Sequence, residues 1–232
     1  MMNEKHTILA IGGHVGDMEL TAGGLLATCA VQGGKIVTLA LTAGEKGVPA
    51  ERTVEDYRKQ KVAEAEAFAG MLGGEAYVLD YSDGLLPDDD KVRFEVCDMI
   101  RSVKPDILIT HHKHSMHKDH MVCRRIVDDA RFFAGLSGFV RDLPAHFART
   151  LYYAENWEDA TNFKPYVYLD TSAGYELWRK AIQTHWFVTG SKSFPYFEYY
   201  DALSRVRGIE ARKSRAECFM VPDESHRIVT SL

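Results

Sequence analysis

Two short segments of the chain carry side chains that bind metal ions. His14 and Asp17 follow the apolar run at residues 8–11, and His120 follows a second apolar run at residues 107–109. Two imidazoles and one carboxylate hold a divalent cation and leave coordination positions open for water or substrate. These residue types and positions therefore predict a metal-dependent enzyme with His14, Asp17 and His120 as ligands.

The elements that must position these ligands alternate between short apolar runs and longer segments of helical periodicity, the pattern of βαβ units. Strands are predicted near residues 7–12, 35–42, 76–80 and 106–110, and helices near 18–32, 53–72, 90–103 and 119–134. Later in the chain we expect strands at 150–153 and 166–169 and helices near 174–187 and 197–215. The pattern predicts one Rossmann-like α/β domain over residues 1–232, with a mostly parallel sheet and helices on both faces.

The order of the strands decides whether the two histidine segments meet. Right-handed crossovers in a doubly wound sheet commonly give the order 3-2-1-4-5, which makes the first and fourth strands neighbours. Open α/β sheets bind ligands in the crevice outside the carboxyl ends of such strands. We therefore expect both segments to converge at this crevice.

Composition and charge favour a small-molecule enzyme. The chain has 232 residues, 46% of them hydrophobic, so it can bury a sizeable core. Its net charge of -5, without a sustained basic run, argues against a nucleic-acid partner. No stretch approaches the roughly 18 apolar residues of a membrane span, and no targeting segment is predicted. The four cysteines form no C-x-x-C pair, so we expect a cytoplasmic protein whose metal rests on His and carboxylate.

A dinucleotide site is the rival interpretation of the first segment, because residues 12–16 read G-G-H-V-G after a strand. The dinucleotide fingerprint needs glycine at position 11, which is Ile11 here, and an acidic residue at the end of the second strand, where the chain has Leu41 and Thr42. These two mismatches make the dinucleotide site the weaker interpretation.

The second segment lies in a stretch with five histidines between residues 110 and 120. Within it, we expect Asp119 to begin a helix as its N-cap residue and to direct His120 toward the crevice.

The two segments together resemble the PIG-L/LmbE-like N-deacetylase superfamily. Residues 14–19 read H-V-G-D-M-E and residues 117–120 read H-K-D-H, where the family reads H-P-D-D-x-E and H-P-D-H. The resemblance spans essentially the whole chain, with further similar segments at residues 41–47, 83–84 and 215–219.

The resemblance implies a zinc enzyme in which the three residues nominated above bind Zn²⁺, with Fe²⁺ as the alternative metal. It implies that His117 stabilises or protonates the tetrahedral intermediate and that Asp119 orients His117. It also implies that Arg58 binds substrate. Similar proteins often form homo-oligomers, and we expect the same here.

Aromatic side chains are frequent between residues 157 and 200. Sugar-binding sites use such rings, but we expect most of these side chains to pack in the core or at a subunit interface.

Gly16 departs from the family, which has its general base, the first Asp of H-P-D-D, at this position. A positioned general base contributes about 10² to 10⁴ in rate, whereas a metal ion lowers the pKa of its water toward about 7. Hydrolysis therefore stays feasible, and Glu19 or Glu45 is a candidate replacement base. Glu19 also has a purely structural interpretation, because a carboxylate in the first turn of a helix favours the helix dipole.

We therefore expect a hydrolase that removes an N-acyl group from an amino-sugar derivative or similar small amide, and acetyl is the acyl group that we expect. Two alternatives stay open. The first is a metal-retaining, ligand-binding pseudoenzyme that lost turnover together with its base. The second is a metal enzyme with altered chemistry, since two histidines and one carboxylate also hold Fe(II) in oxygenases.

Overall fold

A computed structural model describes residues 5–225 and contains one seven-stranded sheet. Its strands are β1 Thr7–His14, β2 Lys35–Thr42, β3 Glu75–Tyr81, β4 Ile107–His111, β5 Thr150–Ala154, β6 Val167–Asp170 and β7 Ala216–Met220. The order is β3-β2-β1-β4-β5-β7-β6, and the first five strands are parallel. This confirms the predicted fold class and the adjacency of β1 and β4.

The edge formed by β7 and β6 differs from the prediction. β7 pairs antiparallel with both β5 and β6 and lies between them. Its sequence, A-E-C-F-M, contains no β-branched residue, so intrinsic propensity does not favour a strand there. Pairing with two neighbours imposes the extended conformation, which is why the sequence pattern missed it.

Between residues 5 and 225, eight α-helices connect the strands: α1 Asp17–Thr21, α2 Gly23–Val31, α3 Val54–Met71, α4 Asp90–Val103, α5 Lys118–Gly135, α6 Tyr175–Ala181, α7 Trp186–Thr189 and α8 Tyr196–Glu210. The single helix predicted over residues 18–32 is divided into α1 and α2. Glu217 accepts hydrogen bonds from the backbone N–H groups of Gly24 (2.7 Å) and Leu25 (2.8 Å), which satisfies the first turn of α2. The Trp178 ring occupies the space where a Cβ at Gly23 would lie. The break therefore has a tertiary cause.

The core lies on both faces of the sheet. Alternate residues of β1 enter two separate clusters, with Leu9 and Ile11 packing beneath α4 and α5, and Ile8 and Ala10 packing beneath α2, α6 and α8. A central strand buried on both faces explains why its sequence is continuously apolar. Within residues 5–225 no helix combines the length and the apolar character that crossing a membrane requires.

Phe219 tests the contribution of the edge strand that the sequence did not predict. Its side chain is fully buried and packs against Tyr152. We expect Phe219→Ala to lower the free energy of unfolding by about 3–5 kcal/mol, as for other large core aromatics. Tyr166→Ala, at a 72% exposed aromatic beside β6, is the matched control and should change it by less than about 0.5 kcal/mol. Urea denaturation measures both; equal effects would contradict the packing role.

Candidate metal centre

The turn after β1 brings the first two predicted ligands together. β1 ends at His14, Gly16 adopts a left-handed conformation with φ of 105°, and α1 begins at Asp17. This conformation costs glycine little, and it reverses the chain within two residues. As a result, the Asp17 carboxylate accepts a hydrogen bond from the backbone N–H of His14, with N and Oδ2 2.8 Å apart.

The start of α5 supplies the third predicted ligand. His117, not Asp119 as predicted, is the N-cap residue, because the Nδ1 atom of His117 accepts the backbone N–H of Asp119 at 3.2 Å. His120 lies in the first turn of the helix, and its ring is buried. Because β4 is next to β1 in the sheet, this turn lies directly across from the turn after β1.

Three donor atoms converge between these two turns. The Nδ1 atom of His14 lies 3.2 Å from Oδ2 of Asp17 and 3.2 Å from Nε2 of His120, and the last two atoms are 3.4 Å apart. A tetrahedral zinc site with metal–ligand distances of about 2.0–2.1 Å has ligand atoms about 3.3 Å apart. The spacing fits such an ion, so the structure brings together the three residues that the sequence nominated.

The electrostatics of this cluster favour positive charge. Burial by itself lowers the pKa of both imidazoles, but the surrounding carboxylates, with Asp17 first among them, together outweigh it. They leave the pKa of His14 well above its usual value and that of His120 at about 9. Burial likewise raises the pKa of Asp17, yet the charges of His120 and His14 hold it well below its usual range. The cluster therefore attracts protons, and a divalent cation would displace them.

A second layer of buried side chains orients the ligands. The Nδ1 atom of His120 lies 3.2 Å from Oγ of Ser115 and 3.3 Å from Oδ1 of Asp159, which leaves Nε2 for a metal. His111 stacks on His120, with ring centroids 3.9 Å apart, and its Nδ1 lies 3.4 Å from Asp159 Oδ2. Carboxylate–histidine pairs of this kind set ring orientation in metal sites. Sequence reasoning missed Asp159 because only tertiary structure places it behind His120.

A cavity of about 290 Å³ opens beside these ligands. The polar part of its wall includes His14, Asp17, Lys61, Asp83, His117, His120 and Glu158. The aromatic part consists of Tyr57 and of five residues from the later half of the chain, namely Trp157, Trp186, Phe187, Tyr196 and Tyr200. Several of the crowded aromatic residues thus face the site rather than serving only the core.

His117 lies where proton transfer is feasible. Its ring centroid is 4.5 Å from that of His14, and burial, together with the charges of His14 and His120, lowers its pKa. The ring is therefore neutral at pH 7, with Nδ1 accepting a backbone hydrogen bond and the proton on Nε2. The predicted orienting contact with the Asp119 carboxylate is absent: that carboxylate accepts the Gly84 N–H at 2.6 Å, and its Oδ2 lies 3.6 Å from His14 Nε2.

The structure does not bring Arg58 into the cavity wall. Its guanidinium donates to the carbonyl of Leu79 at 2.9 Å and lies 3.4 Å from the Glu45 carboxylate, so it links α3 to the end of β3. This position does not support the predicted contact of Arg58 with substrate. Lys61, which lies less than one turn further along α3, lines the cavity instead, and sequence reasoning missed it.

Neither candidate replacement for the base lies in the cavity wall. Burial raises the pKa of Glu19 to about 7, but its Oε2 atom accepts the Gly16 N–H at 3.0 Å. Glu45 accepts the Asp83 N–H at 2.9 Å. Both carboxylates support loops, which agrees with the structural interpretation of Glu19.

Phe187 explains why position 16 carries no side chain. A Cβ at Gly16 would overlap the Phe187 ring, and the positive φ of Gly16 is a conformation that L-residues rarely adopt. The space beside position 16 is therefore occupied by an aromatic ring. Restoring an aspartate there requires both a new backbone conformation and displacement of Phe187.

Metal content tests the ligand assignment. If His14, Asp17 and His120 are the ligands, alanine at any of them removes one of three, and we expect loss of stoichiometric zinc after desalting, measured by elemental analysis. Asp159→Asn should weaken zinc binding by about 10-fold to 100-fold, because Asp159 orients His120. His114→Ala, at an exposed histidine of the same segment, is the control and should retain the metal. Unchanged zinc in the ligand variants would refute the assignment.

A double-mutant cycle tests the packing at position 16. We expect Gly16→Ala to lower the free energy of unfolding by about 1–3 kcal/mol through overpacking against Phe187. In a Phe187→Ala background the cost should fall, giving a coupling energy of about 0.5–3 kcal/mol. Gly138→Ala, where no atom lies within 4 Å of the added Cβ, is the control. Additive effects in denaturant titrations would show that Phe187 does not restrict position 16.

Known proteins similar to this chain include both hydratases and deacetylases. It is 26% identical over 225 residues to 4-oxalmesaconate hydratase of Pseudomonas putida, covering 92% of this chain and 84% of that protein. It is 27% identical over 195 residues to diacetylchitobiose deacetylase of Thermococcus kodakarensis, covering 79% and 70%.

The fold comparison agrees with these similarities. The crystal structure of 4-carboxy-2-hydroxymuconate hydratase from Pseudomonas putida superposes with a TM-score of 0.88 at 23% identity, covering 98% of this chain and 99% of that one. The family model of the GlcNAc-PI de-N-acetylases, PIG-L, matches residues 9–131, which include both histidine segments. The superfamily predicted from those segments is confirmed, and the chain belongs to the PIG-L family.

Proposed function

We propose that this protein is a metal-dependent enzyme that adds water to a carbon–carbon double bond of a small substrate, with His14, Asp17 and His120 as the metal ligands. The observation that carries the proposal is the Phe187 ring beside Gly16, where the resemblance places the carboxylate base of an N-deacetylase. The similarity to a hydratase over 92% of the chain supports it. This is the altered chemistry that the sequence left open.

Zn²⁺ is the ion we propose for the site, and Fe²⁺ accepts the same donor set. When bound, such an ion polarises a carbonyl oxygen and lowers the pKa of a coordinated water. Hydration attaches the water oxygen to one carbon and a proton to the other. His117 is the neutral cavity imidazole that can exchange this proton at Nε2, since the Asp119 backbone N–H occupies Nδ1.

Removal of an N-acyl group from an amino-sugar derivative or similar small amide is the second candidate. The PIG-L match and the similarity to a diacetylchitobiose deacetylase favour it. In this reaction His117 would deliver its Nε2 proton to the leaving amine. Homo-oligomerisation and a cytoplasmic location stay predictions from the sequence.

Two assays on zinc-loaded protein distinguish the candidates. Loss of ultraviolet absorbance from conjugated unsaturated acids reports hydration, and acetate release from N-acetylated sugars reports deacetylation. We expect the first signal and no stoichiometric acetate. Acetate release without hydration would replace the proposal by the second candidate, and neither signal over a broad panel would favour the pseudoenzyme.

His117→Ala should lower kcat by about 10²-fold to 10⁴-fold, because it removes the group that moves the proton. Zinc content should stay unchanged, since His117 is not one of the three ligands. His114→Ala provides the control for activity as it does for metal binding. Full activity of the His117 variant would overturn its role in either reaction.

A further inference from the structure

A buried lysine lines the cavity beside the metal ligands. The side chain of Lys61 extends from α3, and the residue is only 5% exposed. Its Nζ atom donates to the carbonyl oxygen of Val15 at 2.7 Å and lies 4.4 Å above the centroid of the Phe187 ring. The ammonium group is therefore held in place at the wall that surrounds Gly16.

The charge of Lys61 has no ion-pair partner in the described part of the chain. No carboxylate oxygen there forms an ion pair within 4.0 Å of its Nζ atom. Burial lowers the pKa of Lys61, and four carboxylates further away oppose that shift, those of Asp17, Glu64, Glu19 and Asp83. An ammonium has three N–H donors, and the Val15 carbonyl uses one, which leaves two. A buried charge is costly unless it is paired and hydrogen-bonded. Lys61 thus lacks the partner that its burial calls for.

We propose that Lys61 binds a carboxylate group of the substrate. The proposal rests on the proposed function only in that the substrate occupies this same cavity. A carboxylate supplies one negative charge and two acceptor oxygens, which matches one ammonium with two remaining donors. Gly16 has no side chain and contributes no competing carboxylate to this wall. The loss of the family's aspartate and the unpaired lysine are thus consistent with an acidic substrate.

The surroundings favour a carboxylate over a phosphate. Among residues 5–225, Lys61 is the only lysine or arginine in the cavity wall, which also contains Asp83 and Glu158. A doubly charged phosphate would bring a second negative charge toward these carboxylates without a second cation to balance it. A carboxylate avoids this repulsion.

Paired probes that differ by one charge test the anchor. Fumarate, succinate and glutarate, each beside its monoamide, are titrated calorimetrically into zinc-loaded protein. We expect the wild type to bind at least one diacid about 10-fold to 100-fold more tightly than its monoamide, as for a hydrogen-bonded charge. Lys61→Met and Lys61→Gln should remove this difference, whereas Lys59→Met, at an exposed lysine of the same helix, should keep it.

The proposal is overturned if the wild type binds none of the probes or binds each diacid and its monoamide equally. It is also overturned if a Lys61 variant keeps the wild-type difference in affinity between diacid and monoamide. Tighter binding of inorganic phosphate than of every diacid would also overturn it. Lys61→Gln can keep a hydrogen bond to Val15, and Lys61→Met removes an unpaired buried charge. Both variants should therefore retain zinc and melt within a few degrees of wild type. Zinc loss or a large drop in melting temperature in both would assign Lys61 a structural role instead.

These measurements need no turnover, so the two hypotheses fail separately. A charge preference that depends on Lys61, without hydration in any assay, would keep the carboxylate anchor and reject the reaction. If hydration is observed but the Lys61 variants still prefer the diacid to its monoamide as the wild type does, the proposed reaction stands and the carboxylate anchor is rejected.

Discussion

One carboxylate oxygen, Oδ2 of Asp17, is the point on which the site depends. It lies 2.8 Å from the backbone nitrogen of His14, 3.2 Å from Nδ1 of His14, 3.1 Å from Nε2 of His111 and 3.4 Å from Nε2 of His120. For four nitrogen atoms to surround this one partly buried oxygen, two parallel strands must end side by side. The left-handed turn at Gly16 and the start of α5 at Lys118 supply the remaining geometry.

The second half of the chain completes this centre. Residues 9–131, matched by the family model, contain all three proposed ligands. Asp159, which lies behind His120, and the aromatic wall that includes Trp157, Trp186 and Phe187 come from beyond that range. The part of the fold that the family model matches therefore contains the proposed ligands, while the later segments shape the cavity.

Position 16 is where this chain departs from the family pattern, and three features of the surrounding wall belong together. Position 16 has no side chain, the Phe187 ring takes up the adjacent space, and Lys61 presents its ammonium over the same ring. Neither the Phe187 ring nor the Lys61 ammonium can accept a proton, and the buried cation agrees with the acidic ligand proposed above. A lost catalytic group can thus reflect altered chemistry rather than decay.

Periodicity and residue type by themselves predicted the α/β class, the four parallel strands before residue 135 and the three residues that the structure brings together as a proposed ligand set, because strand ends and metal donors are local features. They failed where long-range contacts decide. β7 is extended because two strands pair with it. Glu217, which lies near the other end of the chain, caps α2 and so divides the predicted first helix in two. Arg58 and Lys61 are less than one turn apart on α3, yet only Lys61 reaches the cavity. Which face of α3 meets the cavity depends on packing, and packing is a property of the tertiary structure.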